Sequence, residues 1–209
     1  DAGTPASIVL TLGGAALFLA GHALFIILSL GESIIITGAT FTDIETTAAT
    51  VSAFVLAFLG SVALWWIYFD RSAEAAREVF SSSEDPGRIA RSAYTYFHLP
   101  MVAGIIAVAA ADELVVAHPA DAGTPASIVL TLGGAALFLA GHALFKWAVF
   151  GVIAVSRLVA IAALAALVPV GFVVPALALA IAAALVVVVL AVWDAVAYQR
   201  HAPRKSAAS

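Results

Sequence analysis

Glu32 stands between Gly31 and Ser33 inside an apolar run from Leu24 to Phe41. A glutamate flanked by Ile, Leu and Phe is expensive in hydrocarbon, so by default it marks a functional site. Two roles fit it. One is a protonatable or cation-binding carboxylate facing the interior of a helix bundle. The other is a protonated side chain hydrogen-bonded to neighbouring backbone and held for packing specificity. His98, beside Pro100, supplies the second half of a proton relay with Glu32, because imidazole titrates near physiological pH. The plain alternative for His98 is an interfacial position near the headgroups. Glu32 and His98 are the leading proton- or ion-coupling candidates.

Weaker candidates follow along the chain. Asp112, Glu113 and His118 crowd the end of one apolar run and could form a cation entry site. Adjacent helical positions lie about 100° apart, and five residues do not bring a side chain back to the same face, so this is poor metal geometry. A solvated helix end is the better reading of the three. His142 sits at a depth similar to His98 on the same side and can join it. No HExxH spacing, GxSxG or Ser-His-Asp set is present, and GlyGly at 133–134 lies mid-run and cannot be a phosphate loop. No catalytic residue, metal site or cofactor is therefore expected.

The composition says where these groups must work. Of 209 residues, 64% are hydrophobic and only 11% charged, against about a quarter charged in soluble domains. The mean hydropathy is +1.11. A net charge of −4 with no basic concentration removes nucleic acid as a partner. The absence of Cys removes disulfides, thiolate metal sites and a Cys nucleophile. The partner that remains is the lipid bilayer. The first residue is Asp1 and the sole Met is Met101, which reads as a piece of a larger polytopic protein without a signal peptide.

Residues 1–25 recur without change at 121–145. Ancient repeats drift in sequence, and this one has not. After the second copy, Lys146 to Arg157 supply a connection. After the first, Ile26 follows Phe25 directly. Ala6 to Phe41 is 36 residues, too long for one span of roughly 20 and without a turn to make two. We read 1–25 as an assembly artefact or a recent duplication, with one long protruding helix as the alternative, and 26–209 as the helical transmembrane domain.

The spans that position the candidate groups are about 22–41, Ala48–Phe69, Tyr94–Val116, Ser127–Phe150, Leu158–Val168 onward and Ala176–Tyr198. The fold class is an all-α helical membrane bundle of about six spans, plus the duplicated extra segment. Trp65, Trp66 and Tyr68 form an aromatic belt. Pro100, inside span three, leaves the Tyr96 carbonyl without its donor and should kink the axis. Ala103, Ala107 and Ala111, then Gly133, Gly134 and Gly141, then Ala176, Ala180 and Ala184, are small-residue faces for close packing. The polar loop 70–91 has a surface-helix pattern in its first half, and Asp85–Pro86 looks like a helix start.

Orientation follows from the nine Lys and Arg residues, at 71, 77, 88, 91, 146, 157, 200, 204 and 205. Six spans put all of them on one side, and the opposite loops 42–47, 112–126 and 169–175 hold none. The positive-inside rule then makes loop 70–91 and the carboxyl terminus cytoplasmic, in a bacterial inner membrane.

Three groups of residues carry a family resemblance: Leu30-Gly31-Glu32-Ser33-Ile34 with Thr37-Gly38-Ala39-Thr40-Phe41; Tyr96 to Ile105 with Ala111-Asp112-Glu113-Leu114 and His118-Pro119; and Ser156-Arg157-Leu158 before Ala/Leu-rich spans. They resemble the bacterial low-temperature-requirement A family over about 26–209, as its carboxyl-terminal half. The resemblance implies a multi-span membrane protein of a family named for growth in the cold. Family members usually carry a His and a Glu-Arg pair just before the Glu-containing span. Here Gly21-His22-Ala23-Leu24-Phe25 occupies that place, so a partner for Glu32 from that segment is missing or displaced.

The expected function is proton- or ion-coupled transport of a small solute. The alternatives are a non-transporting protein that adapts the bilayer to cold and, less favoured, an intramembrane lipid-modifying enzyme. Self-association into a homo-oligomer is left open.

Overall fold

The computed structural model describes residues 5–69 and 96–201. The loop 70–91, its surface helix and the Asp85–Pro86 start lie outside the described residues. Among the described residues seven helices follow in order: α1 (Pro5–Thr42), α2 (Ala48–Phe69), α3 (His98–Ala117), α4 (Pro125–Phe150), α5 (Val155–Ala166), α6 (Val168–Gly171) and α7 (Ala176–His201). Five segments are long and apolar enough to cross a membrane, and the α5–α6 pair, Val155–Gly171, is a shorter apolar piece. The helices are apolar around most of their circumference, which is the pattern of membrane spans. This is the expected all-α polytopic bundle.

The chain's charge-free loops gather at one end. Ala176 N–H donates to Asp121 O at 2.8 Å and Leu177 N–H to Pro119 O at 3.1 Å, which joins the α3–α4 loop to the start of α7. At the same end Phe41 stacks on Phe54, with centroids 4.9 Å apart. Phe41, Ile44 and Phe54 pack against Ala53, Val115, Val116, Ala176 and Ala180. So the three loops without Lys or Arg lie together, as six alternating spans require. Trp65, Trp66, Trp147 and Trp193 are all exposed and lie toward the other ends of α2, α4 and α7. That is an aromatic belt at one interface.

At that second end Arg157, only 3% exposed, pairs with Asp194 of α7. Ser156 Oγ donates to Asp194 Oδ1 at 3.2 Å and accepts from Arg157 Nη1 at 2.9 Å. The Ser-Arg-Leu stretch thus anchors α5 to α7. Gly171, at the far end of the α5–α6 pair, lies against Gly123 and Ile128. Val155–Gly171 therefore runs from one end of the bundle to the other, although its 17 residues rise only about 25 Å.

The most extensive packing is α3 against α4, and it is made by glycine. A Cβ added to Gly104 would lie 2.5 Å from Phe138 N and 2.7 Å from Gly134 O. One on Gly134 would meet Val108 N at 2.9 Å, and one on Gly141 would meet Met101 N and Phe97 O at 3.0 Å. Backbone meets backbone along two turns, the close approach that small residues permit in membranes. Inside α4, Val129–Gly133 forms a π-helical turn.

Several expectations change. Residues 5–42 form one uninterrupted helix with no turn at Phe25–Ile26, which agrees with the missing turn read from the sequence and does not bear on whether residues 1–25 are an added duplicate. The described part of span three begins as α3 at His98, with Pro100 its third residue, while the expected start near Tyr94 lies outside the described residues. In that first turn an N–H has no acceptor within α3, so proline removes no bond internal to the helix. Ala103 is exposed, and Gly104 takes the packing role assigned to it. Gly133 points outward, while Gly134 and Gly141 serve as expected.

Two outcomes test this architecture. Gly104→Ala destabilises the detergent-solubilised chain by about 1–3 kcal/mol through overpacking, whereas Gly133→Ala is neutral or stabilising by up to about 1 kcal/mol; thermal unfolding measures both. Arg157→Ala costs about 3 kcal/mol, the low edge for breaking a buried ion pair, because Asp194 keeps 20% of its side chain exposed. Replacing both partners, Arg157→Met with Asp194→Leu, costs less than Arg157→Ala alone in the same unfolding measurement.

Candidate functional site

The inward face of α1 is set by Ile26, Leu30, Ser33 and Thr37, spaced four, three and four residues apart and all buried. Thr37 Oγ1 donates to Ser33 O at 2.9 Å, so its hydroxyl is satisfied within the helix. Glu32 precedes Ser33 by one residue, about 100° around the axis, and is exposed. Glu32 and His98 are therefore not brought together.

His98 is 2% exposed at the first position of α3, and its Nε2 lies 2.8 Å from the hydroxyl of Tyr68. Tyr68, 7% exposed, falls on the inward stripe Ala57, Ser61, Leu64, Tyr68 of α2. It belongs to the bundle interior and not to the Trp65–Trp66 belt. Phe145 packs edge-on to His98, with centroids 5.6 Å apart, and face-on to His142, at 6.3 Å. His142 is fully buried between Phe138 and Phe145, and neither ring nitrogen has a hydrogen-bond partner. The two histidines thus join one aromatic cluster, as their similar depth suggested. A phenol-to-imidazole contact can pass a proton, but the orphaned His142 nitrogens are outside any chain of hydrogen bonds.

The second place lies toward the loop-rich end. Asp112 turns inward from α3 while Glu113, its neighbour, is exposed. His118, at the helix end, is exposed and pairs with Asp121 at 3.5 Å. The expected acidic cluster is divided: Glu113 and His118 are a solvated helix end, and Asp112 is not part of it. Its Oδ2 is buried and has no hydrogen-bond partner. Asp112 lines a cavity of about 50 Å³ between α2, α3, α4 and α7, with Gly60, Thr131, Ala135, Ala180 and Ala184 among its walls. Thr131 comes from the π turn of α4, a departure that recurs at functional sites. Apart from Asp112 and Thr131 the lining side chains carry no polar atom.

The sequence offered little sign of Tyr68 or Thr131. The four-three-four spacing of Ala57, Ser61, Leu64 and Tyr68 was the available signal for the first. A lone Thr one turn before paired glycines was the signal for the second. Among the described residues no group of three or more His, Cys, Asp or Glu can hold a metal ion.

Comparison with known proteins fits this bundle. The model of the "Bacterial low temperature requirement A protein (LtrA)" matches residues 22–192, which starts and stops earlier than the 26–209 expected. The chain is 35% identical over 186 residues, 88% of its length, to "Uncharacterized protein RA0937" of Rhizobium meliloti (strain 1021). It spans 45% of that protein's length. No solved structure matches. With a match over most of its length and the membrane bundle to go with it, the chain belongs to the bacterial low temperature requirement A family.

Proposed function

We propose that this chain is part of a proton-coupled transporter of a small solute, set in the bacterial inner membrane with its carboxyl terminus on the cytoplasmic side. The observation that carries the reading is Asp112, an unpartnered carboxyl in a cavity between four helices. An ionisable group inside a membrane bundle marks a proton or substrate path far more often than a structural contact. Unpaired charge in that setting is costly, so the carboxylate needs a cation brought to it, and the simplest is a proton. The orientation is supported by the nine Lys and Arg residues, all of which fall on one side when the chain is read as six crossings.

Glu32 becomes secondary in this reading, because it lies on the outer face of α1. His98, in contact with the Tyr68 hydroxyl near the Trp-bearing end, is the group by which protons reach the cytoplasmic side. Residues 1–25 are read as an added duplicate, most of which, residues 1–21, precedes the family match.

The test is proton-linked flux in proteoliposomes under an imposed pH gradient, with the intact polypeptide that carries this segment and a panel of small solutes. Asp112→Asn should cut solute-dependent proton flux at least tenfold while the unfolding temperature is kept. Glu32→Gln should stay within twofold of the parent. An intact protein that moves no protons under either gradient direction would remove the proposal.

A further inference from the structure

The cavity around Asp112 has a size and a chemistry, and together they name an occupant. We infer that it binds a small primary ammonium ion, of ammonium or methylammonium size, held by the Asp112 carboxylate and the Thr131 hydroxyl. The inference rests on Asp112 as the cation-bearing group of the proposed transporter, but binding itself requires no transport.

Charge comes first. Asp112 Oδ2 is buried without a partner. The basic residues of the described chain, Lys146, Arg157 and Arg200, stand toward the opposite ends of α4, α5 and α7. No side chain lining the cavity is basic. A positive ligand therefore leaves the filled cavity neutral. An anion would leave it negative, and a neutral alcohol would leave the carboxylate unmatched, both costly away from water.

Size comes next. A cavity of about 150 Å³ lined by apolar side chains takes benzene, with six heavy atoms. The space here is about 50 Å³, a third of that, and it is partly open, so about two heavy atoms fit within it and a longer chain has to extend out through its mouth. Methylammonium has two. Gly60, Ala135, Ala180 and Ala184 create the space, and any larger side chain there would fill it.

Coordination separates an ammonium from a metal ion. Hard cations take about six to eight oxygen ligands. The side chains lining the cavity supply three oxygens, two from Asp112 and one from Thr131. Three acceptors match the three N–H donors of a primary ammonium, and the apolar walls suit its methyl group. When the site holds a proton, methylammonium takes its place on the carboxylate and one proton leaves, so charge is conserved.

Radiolabelled methylammonium, titrated at equilibrium against the purified chain in lipid nanodiscs, tests this directly. Saturable binding at one site per chain is expected, with release of a proton into weak buffer. Butylammonium should bind at least tenfold more weakly, and Asp112→Asn should abolish binding. Should Asp112→Asn lose its fold, Ala184→Leu supplies the second arm, because it plugs the cavity from α7 with Asp112 intact and should also abolish binding. Sodium that displaces methylammonium at equal concentration would make this an alkali-ion site and overturn the inference. Binding retained in Asp112→Asn or Ala184→Leu, or no saturable binding at all, would overturn it too. Proton-linked flux without methylammonium binding would remove the ligand and leave the transport reading, and binding without flux would do the reverse.

Discussion

Gly104 of α3 and Gly134 of α4 let two backbones touch, and the rest of the bundle is arranged about that contact. In a bilayer the lipid tails are as apolar as leucine, so exclusion from water does not hold helices together and close van der Waals contact must. The approach leaves no room for a Cβ at Gly104, Gly134 or Gly141. It sets the α3–α4 crossing along two turns and so fixes which faces of α3 turn outward. Met101, Ile105 and Phe138 become fully enclosed, and Asp112, eight residues past Gly104, is carried inward toward α2 and α7.

The duplicated segment shows how far this contact governs local structure. Val9–Gly13 and Val129–Gly133 are the same five residues. The first set is ordinary α-helix, and the second is a π turn. Identical sequence with two backbones means that propensity did not choose the π turn. Tertiary packing did: the π turn runs directly into Gly134, which is pressed against Gly104 and Val108. Since Thr131 lies within that turn and lines the cavity, the site's second polar group is placed by packing as well.

That explains what was legible in advance. The spans could be read because they depend on length and hydropathy, and Ala48–Phe69 falls on its expected limits. The gathering of the charge-free loops at one end could be read from nine basic residues. Which face of a helix points inward could not be read so easily, because apolar residues occupy every face and the period that marks an amphipathic helix is nearly absent. Glu32 looked like the buried carboxylate because apolar residues surround it in sequence. One position separates it from the inward stripe of Ile26, Leu30, Ser33 and Thr37, and one position is about 100°. Asp112 looked like part of a solvated helix end because Glu113 and His118 are near it in sequence, and they are solvated. The same 100° that removes Glu32 from the interior places Asp112 inside it.

The two ends of the bundle differ in how their polar groups are satisfied, and this bears on which can do chemistry. Arg157 is held by Asp194 and Ser156, with only its Nε unpartnered, and His98 by Tyr68. A group with its partners in place has little to gain from a visitor, and moving it breaks contacts already made. Asp112 Oδ2 has no such contact to lose. His142 is equally unpartnered, but it is packed between aromatic rings with no room beside it for a ligand, whereas Asp112 opens onto space. Unmet charge together with room to meet it is found at Asp112, and for that reason the functional reading centres there and not on the more conspicuous glutamate of α1.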